Sequence, residues 1–367
     1  VSANFDVIVI GGGIAGISAA AELARDMSVL VLEAEPQTGY HATGRSAAIF
    51  IRNYGNDTLR ALNAASAPVL EAPEGISDRS LLSPRGEMLV ADESELPALE
   101  TYAAGAVGLE RLSPEQAVEL VPILRPERIA GALIEWDAQD IDVDRMLAGY
   151  ASLLKRRAGQ IVTGARVSAL THAGQDWRVQ AGDDTYTAPI VINAAGAWAS
   201  QVAALAGALP VNVAPLRRSA AILPAPEGYD PTGWPLFASA AENWYAKPEA
   251  GKLMVSPADE DPVEPHDAWA DDMVLAEGLY RFEQAVTVPV TRVETSWAGL
   301  RSFAPDRTPV VGFDPRADGF FWLAGQGGYG VQTAPALAAL TVALCRGATP
   351  AIEPEVVAAL SPARFDG

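Results

Sequence analysis

Four apolar residues, Val7 to Ile10, follow a polar opening and stop at three consecutive glycines. A short β-branched run bounded by glycine predicts a buried strand. Phe5 to Ile10 is read as that strand and Gly11 to Gly16 as a glycine turn. Ile14 to Arg25 has helical spacing, and Ser28 to Leu32 is a second strand ending at Glu33. Together they make one βαβ unit. Tyr40 to Ala48 then reads as a polar turn running into an apolar helix. Further along, Glu87 to Val90 and Ala130 to Glu135 read as strands, and Pro114 to Leu120 and Asp144 to Ala158 as helices. Strand-like segments surround Ile161 to Ala169 and Trp177 to Ala181. Thr187 to Ala194 has a buried-strand pattern and feeds a helix from Trp198 to Ala206. Residues 211–295 are strand-rich, glycine turns return from Trp297, and Thr333 to Cys345 is a final apolar helix.

Nucleotide-type elements thus recur at the start, middle and end of the chain. They predict an α/β protein: a Rossmann-type domain with a parallel sheet, assembled from residues 1–80, 141–213 and 296–367. A second, sheet-rich domain is inserted as residues 81–140 and 214–295 and is expected to bind substrate.

Composition narrows the classes. The chain is 49% hydrophobic and carries a net charge of −20, so it should repel nucleic acid and acidic membranes. Cys345 is the single cysteine, which excludes an intramolecular disulfide and fits a reducing, cytoplasmic setting. One cysteine beside only three histidines (His41, His172, His266) argues against a zinc or iron–sulfur site, so no metal is expected. Two charge-free stretches, 185–216 and 319–345, are broken by Gly, Pro, Asn or Gln and read as strand, turn and helix rather than membrane spans. The opening apolar run is too short, and lacks the basic flank, for a signal peptide.

Gly11-Gly12-Gly13-Ile14-Ala15-Gly16 fits G-x-G-x-x-G directly after a strand and at the start of a helix. Gly11 permits the tight turn, Gly13 lets backbone approach a pyrophosphate, and Gly16 allows close helix–strand packing. Glu33 closes the second strand 17 residues after Gly16, where a carboxylate can accept from ribose hydroxyls. A tightly held flavin dinucleotide needs more contacts than a mobile NAD. Thr43-Gly44-Arg45-Ser46 is expected to open a helix and offer hydroxyl and backbone donors. Asn193-Ala-Ala195-Gly196 ends a later strand, and Gly325 to Gly330 is a second glycine turn before a helix. The start of that helix can face the electron-rich edge of an isoalloxazine.

These segments carry a resemblance that runs nearly end to end. Gly11 to Gly16, Gly39 to Ala48, Leu81 to Arg85, Val191 to Trp198, Trp297 to Phe303 and Gln326 to Gly330 resemble the FAD-dependent D-amino-acid oxidase/glycine oxidase superfamily. Within it they are most similar to the bacterial D-arginine dehydrogenases. The resemblance implies FAD, held non-covalently because Cys345 lies away from the position used for covalent attachment. It implies contacts from Gly11, Gly13, Ile14, Ala15, Gly16, Glu33 and Ala34, then from Thr43, Gly44, Arg45, Ser46, Ala48 and Ile49. Val167, Ala195, Gly196 and Trp198 follow, with Gly327, Gly328, Tyr329, Gly330 and Gln332 near the reactive ring.

Oxidising an amino acid with a flavin needs a clamped carboxylate and a neutral amine. A buried carboxylate calls for an arginine fork. Of neighbouring Arg217 and Arg218 at most one faces the pocket, because successive strand residues point opposite ways. The family pattern selects Arg218, and Arg301 is the second arginine. By the same resemblance Tyr245 assists the carboxylate, Glu87 faces a distal cation of the substrate, Tyr54 is an active-site tyrosine, and Gly328 and Gln332 flank flavin and substrate. Alternatively, Glu87 is an exposed strand residue pairing with Arg85. Ile49 and Ile51 stand where the closest relatives carry histidine and threonine, followed by Arg52 and Asn53. The pocket floor becomes apolar and an obvious base is lost, so the amine binds already neutral, or Tyr54 or a water takes its proton. An inward Arg52 would pair with Glu87 and remove a preference for basic substrates.

The expected reaction is oxidation of a D-amino acid, basic ones included, to an imino acid that water converts to a 2-oxo acid and ammonia. Secondary amines such as sarcosine, N-alkyl amino acids or D-proline are the alternative. The electron acceptor, quinone or O2, is open. A flavin electron-transfer subunit has no use for an arginine clamp, and a monooxygenase would need a second G-x-G-x-x-G for NADPH.

Overall fold

In a computed structural model of the chain, which describes residues 2–367, Val7–Ile10 lies at the heart of a six-stranded sheet. The strand order is Gln160–Val162, Val29–Leu32, Val7–Ile10, Ile190–Asn193, Phe320–Ala324 and Val310–Phe313. The first five are parallel, and the last is antiparallel to its neighbour. Strands covered on both faces need unbroken apolar runs, which is why Val7–Ile10 and Val29–Leu32 are buried at every position. The chain steps from Val7–Ile10 to one side and later returns to the other as Ile190–Asn193. That reversal opens a crevice at the strand ends. There the two chains nearly touch: a Cβ on Gly11, whose φ is +113°, would lie 2.3 Å from the Ala194 carbonyl oxygen.

The helix Ile14–Leu23 covers one face of this sheet and packs on Val143–Arg156 and Gly330–Cys345. The other face carries Phe320 and Trp322, which meet Trp177 from a four-stranded sheet of Ser2–Asn4, Asp184–Ala188, Asp176–Ala181 and Val167–Ala173. The single strand expected from Thr187 to Ala194 is two strands, split at Pro189, which has no N–H for a ladder.

A nine-stranded sheet forms the remainder. Thr295–Phe303 pairs with Ala214–Leu223 along its length, and Leu236–Ser239 joins Glu87–Ala91 in parallel. Alternation sorts its faces. Met88 and Val90 join Phe237, Trp244 and Phe282 in a core closed by the helix Asp272–Ala285. Glu87, Leu89, Ala238 and Tyr245 point the other way, toward the crevice. No helix among the described residues is long and apolar enough to cross a membrane.

The helix expected to open at Thr43 does not form. Thr43–Arg45 is a single 3-10 turn, and Ile49–Phe50 is a strand paired with Gln139–Ile141. Side chains take the hydrogen bonds a helix would have used. Gln332 accepts from the Ile51 N–H at 3.1 Å, and the Asn63 amide donates to the carbonyls of Ile51, Arg52 and Tyr54. Four helices among the described residues went unread in the sequence: Asp57–Glu71, Leu96–Ala103, Asp272–Ala285 and Pro354–Leu360.

Candidate active site

Two joined cavities occupy the crevice, one of about 500 Å³ and one of about 110 Å³. Ser46, Ala47, Arg218, Tyr245, Arg301, Gly328 and Val331 line both and form their junction.

The larger cavity runs from the glycine turn to the Gly327–Gly328 turn. Gly13 is the N-cap of Ile14–Leu23 and brings no side chain to the helix start, so N–H groups face the cavity. Thr43 Oγ1 accepts from the Ile14 N–H at 3.1 Å. Glu33 accepts from the N–H groups of Gly12 at 2.6 Å and Glu35 at 2.7 Å, which aims its carboxylate across the end of the strand. Ala34, Val167, Ala195, Gly196 and Trp198 line the same wall, with Gly11, Ala15, Ser46 and Gly330. A second helix start, Gly330–Cys345, also lacks a side-chain cap and opens at the junction. A glycine cradle and two helix starts whose N-cap residues bring no capping side chain, along one cavity, suit a long dinucleotide with a pyrophosphate, so these residues fit FAD.

Three of the expected contacts sit behind the wall instead. Gly16 packs on the turn, where a Cβ would be 2.0 Å from the Gly11 carbonyl oxygen. Gly44 donates its N–H to Gly39 at 2.8 Å. The Tyr329 ring lies 4.6 Å from that of Tyr54. Arg45 lines the cavity, but its guanidinium is engaged by protein: Asp267 and the carbonyls of Tyr40, Ala268 and Ala298.

The smaller cavity holds the candidate substrate groups. Arg301 is half-buried, with Gly328 against its guanidinium. It has no ion pair with any described carboxylate. Burial opposes its charge, but Tyr245, Tyr54, Glu242 and Glu260 around it hold its pKa above the ordinary arginine value. Arg218 is buried, donates to the Asp259 carbonyl at 2.8 Å and to Glu260 at 3.1 Å, and lies 5.9 Å from the Tyr245 ring centroid. Its neighbour Arg217 turns to Asp259 and Asp261. Burial raises the Tyr245 hydroxyl, yet Arg301 and Arg218 outweigh it and leave the pKa lowered. Burial raises that of Tyr54.

Glu87 is 7% exposed and accepts from the Tyr102 hydroxyl at 3.0 Å. Burial, then the Glu135 and Glu242 carboxyls, push its pKa up to about 8 against the pull of the Tyr102 hydrogen bond. Arg85 does not reach it and pairs with Asp140, while the Arg52 side chain is exposed. The apolar wall comprises Ala48, Ile49, Ile51, Leu89 and Val331. No histidine is among the described residues lining this cavity. Gln332 lines it too and ties the floor to Asn63 at 2.7 Å.

Sequence reasoning missed Tyr102, Glu242, His41 and the 266–268 segment. Tyr102 and 266–268 arrive by tertiary packing and carry no local motif. Glu242 had a signal, since it stands three residues before Tyr245 in the sequence.

A family profile described as "FAD dependent oxidoreductase", abbreviated DAO, matches residues 6–344. The glycine oxidase of Geobacillus kaustophilus is 25% identical over 355 residues, covering 90% of each protein. Its crystal structure superimposes with a TM-score of 0.85 at 22% identity over 98% of both chains. L-proline dehydrogenase from P. horikoshii gives 0.84 at 22% identity, covering 100% of this chain and 99% of its own. FAD-bound L-α-glycerophosphate oxidase from Mycoplasma pneumoniae gives 0.82 at 18% identity, covering 96% and 97%. At such identities the superpositions speak for the fold, and the three enzymes' names point to different substrates.

Proposed function

This chain belongs to the DAO family of FAD-dependent oxidoreductases, and from that premise we propose that it takes hydride from the C–N bond of a small amino acid. The leading substrate is a D-amino acid with a distal cation, such as D-arginine or D-lysine. One observation carries the reading. A single cavity of about 110 Å³ is lined by Arg301, which has no carboxylate partner among the described residues, and by buried Glu87, which has no cationic one among them. A molecule with a carboxylate at one end and a cation at the other complements both. The Glu242 carboxylate in the same lining disfavours a phosphate ester there.

When bound, FAD supplies the ring that accepts the hydride. The residues supply orientation. Arg301 and Arg218 take the substrate carboxylate with the Tyr245 hydroxyl, which fixes the α-carbon at the junction of the cavities. The apolar wall of Ile49, Ile51 and Val331 excludes water around the amine and favours its neutral form. With no histidine in the wall, the substrate binds as the free amine, or Tyr54 or a water receives its proton. The substrate leaves as an imino acid, which water hydrolyses to a 2-oxo acid and ammonia; quinone or O2 reoxidises the cofactor.

The apolar floor also supports a second reading, a secondary amine such as sarcosine or D-proline, for which Ile49 and Ile51 provide contact without a hydrogen-bond demand. The discriminating test is an anaerobic titration of the holoenzyme with D-, L- and N-methyl amino acids, following loss of the oxidised flavin absorbance. Reduction by D-arginine or D-lysine that weakens in Glu87→Leu supports the basic reading. Reduction by N-alkyl substrates alone moves the assignment to secondary amines. No reduction by any of them ends the C–N assignment.

A further inference from the structure

Glu87 borders the distal pocket with a second carboxyl packed beside it. On the adjacent antiparallel strand Gly131–Glu135, Glu135 is its direct partner in register. Residues so placed project to the same face with Cβ atoms roughly 5 Å apart. Both side chains are buried, at 7% and 2% exposed, and neither is ion-paired with a described arginine, lysine or histidine. Two carboxylates in that position cannot both be ionised without heavy cost.

Their hydrogen bonds say where the negative charge goes. Glu135 accepts at one oxygen from the Arg52 N–H at 2.8 Å and at the other from the Asn53 amide at 2.6 Å. Both donors favour the ionised form. Glu87 receives only the Tyr102 hydroxyl at one oxygen, and it borders the cavity, which Glu135 does not. The remaining charges around Glu87 do not relieve it. Glu242 adds repulsion from the turn before Tyr245, Tyr102 at the end of Leu96–Ala103 is a neutral donor near Arg60, and Arg52 contributes a weak field at Glu135. The proton therefore resides on Glu87.

We propose that Glu135, packed beside Glu87 behind the distal pocket, joins burial in keeping Glu87 protonated until a substrate cation arrives, so that pH selects between cationic and neutral substrates. The inference rests on the reading that Glu87 receives the distal cation. The step is a proton exchange: the Glu87 carboxylic acid loses its proton to solvent as the cation forms an ion pair with the resulting carboxylate. A neutral side chain meets a neutral, apolar-walled pocket and displaces nothing. Glu135 is a positioning residue here, because it acts on substrate through Glu87.

The experiment compares apparent Kd values for anaerobic flavin reduction by D-arginine and D-methionine in the holoenzyme from pH 6 to 9. Using their ratio cancels the α-amine titration common to both. The preference for D-arginine should climb about tenfold per pH unit, as one proton exchanged requires, and level off once Glu87 ionises unaided. In Glu135→Gln the preference should level off at lower pH, because burial and Glu242 alone then oppose ionisation of Glu87, and an unchanged profile in that variant overturns the role of Glu135. A second readout needs neither variant nor turnover. In holoenzyme with dithionite-reduced flavin, D-arginine should abolish the infrared carbonyl band of a buried protonated carboxyl at pH 6.5, and D-methionine should leave it. A pH-independent preference that Glu87→Gln removes, or a band that D-arginine does not touch, overturns the shared proton while the substrate reading stands. No preference for D-arginine at any pH overturns both.

Discussion

Arg45, beside the glycine turn, is ion-paired with Asp267, 222 residues further along the chain. The same guanidinium donates to the carbonyls of Ala268 at 2.9 Å and Ala298 at 3.1 Å, and the Tyr40 hydroxyl donates to Asp267 at 3.1 Å. The effect is a strap. His266 and Ala268 are drawn over the larger cavity and held there by a residue from the nucleotide side. FAD retention should therefore depend on Arg45 even though its guanidinium bonds protein. Charge-assisted hydrogen bonds contribute about 1.5–3 kcal/mol each, so Arg45→Met should release FAD at least ~10-fold faster. Asp267 is 59% exposed, and Asp267→Asn should change the rate by no more than a few-fold, with the difference shrinking in high salt. Recovery of free-flavin fluorescence after dilution measures both. Equal retention in wild type and Arg45→Met would remove the strap.

Glu33 has two oxygens with about four acceptor sites. Two are taken by the Gly12 and Glu35 N–H groups, which leaves capacity for a ribose diol. Glu33→Gln turns one of those oxygens into a donor, aimed either at the Gly12 N–H or away from the ribose. FAD affinity should fall about 10- to 100-fold, the loss of one or two strong hydrogen bonds. Equilibrium ultrafiltration of the holoenzyme reads it directly, and the substrate Kd of the remaining loaded fraction should stay unchanged.

How much of this was legible depends on where the information lies. The βαβ unit was readable because every requirement is local: an apolar run, glycines at fixed offsets and a terminal acid. The Asp57–Glu71 helix was also local and was still overlooked. Its buried positions Leu59, Leu62, Asn63, Ser66, Ala67 and Leu70 follow helical spacing, but half of that stripe is polar or small. The error after Thr43 has another origin. Small residues at 46–48 look helical, yet Lys247 and the Ile141 N–H, distant in sequence, donate to the carbonyls of Ala47 and Ala48. The same holds at the site. Arg218, Arg301 and Glu87 were named from their motifs and line one cavity, whereas Tyr102, Glu135 and Asp267 enter through contacts no motif encodes.

The raised pKa of Glu87 makes a statement about stability. An unfolded glutamate ionises near its ordinary pKa of 4.5, and the folded one holds its proton to about 8. Between those values the native state binds the extra proton, so stability falls as pH rises across this window and the full cost is present above it. At about 1.4 kcal/mol per pKa unit the cost is roughly 5 kcal/mol at most. Glu87→Gln should stabilise the holoenzyme at pH 8.5 relative to wild type and make little difference at pH 4.5. Thermal melts at the two pH values decide it. A variant equally stable or less stable at pH 8.5 would show that Glu87 ionises normally in the fold.

Arg301 and Arg218 line the same cavity, but they are not equivalent. Glu260 already sits against Arg218 at 3.1 Å and also takes two bonds from Arg307, at 2.8 and 3.0 Å. A substrate carboxylate reaching Arg218 meets a guanidinium that is partly neutralised. Arg301 offers its charge unshared. Removing one partner from a desolvated charge pair costs about 2–5 kcal/mol, so Arg301→Met should weaken substrate binding by ~30-fold or more. Arg218→Met should cost several-fold less, since Glu260 keeps Arg307 as its partner. Gly328→Ala probes the same clamp without touching charge. Its new Cβ would lie 3.0 Å from Arg301 Nη1 and 3.2 Å from Cζ, close enough to push the fork by a few tenths of an ångström. Substrate Kd should rise about tenfold, because a displaced bidentate pair loses one of its two bonds. Flavin spectra and FAD content should stay as in wild type. If Arg218→Met proves as damaging as Arg301→Met, the carboxylate is held symmetrically, and Glu260 must swing away to Arg307 when substrate enters.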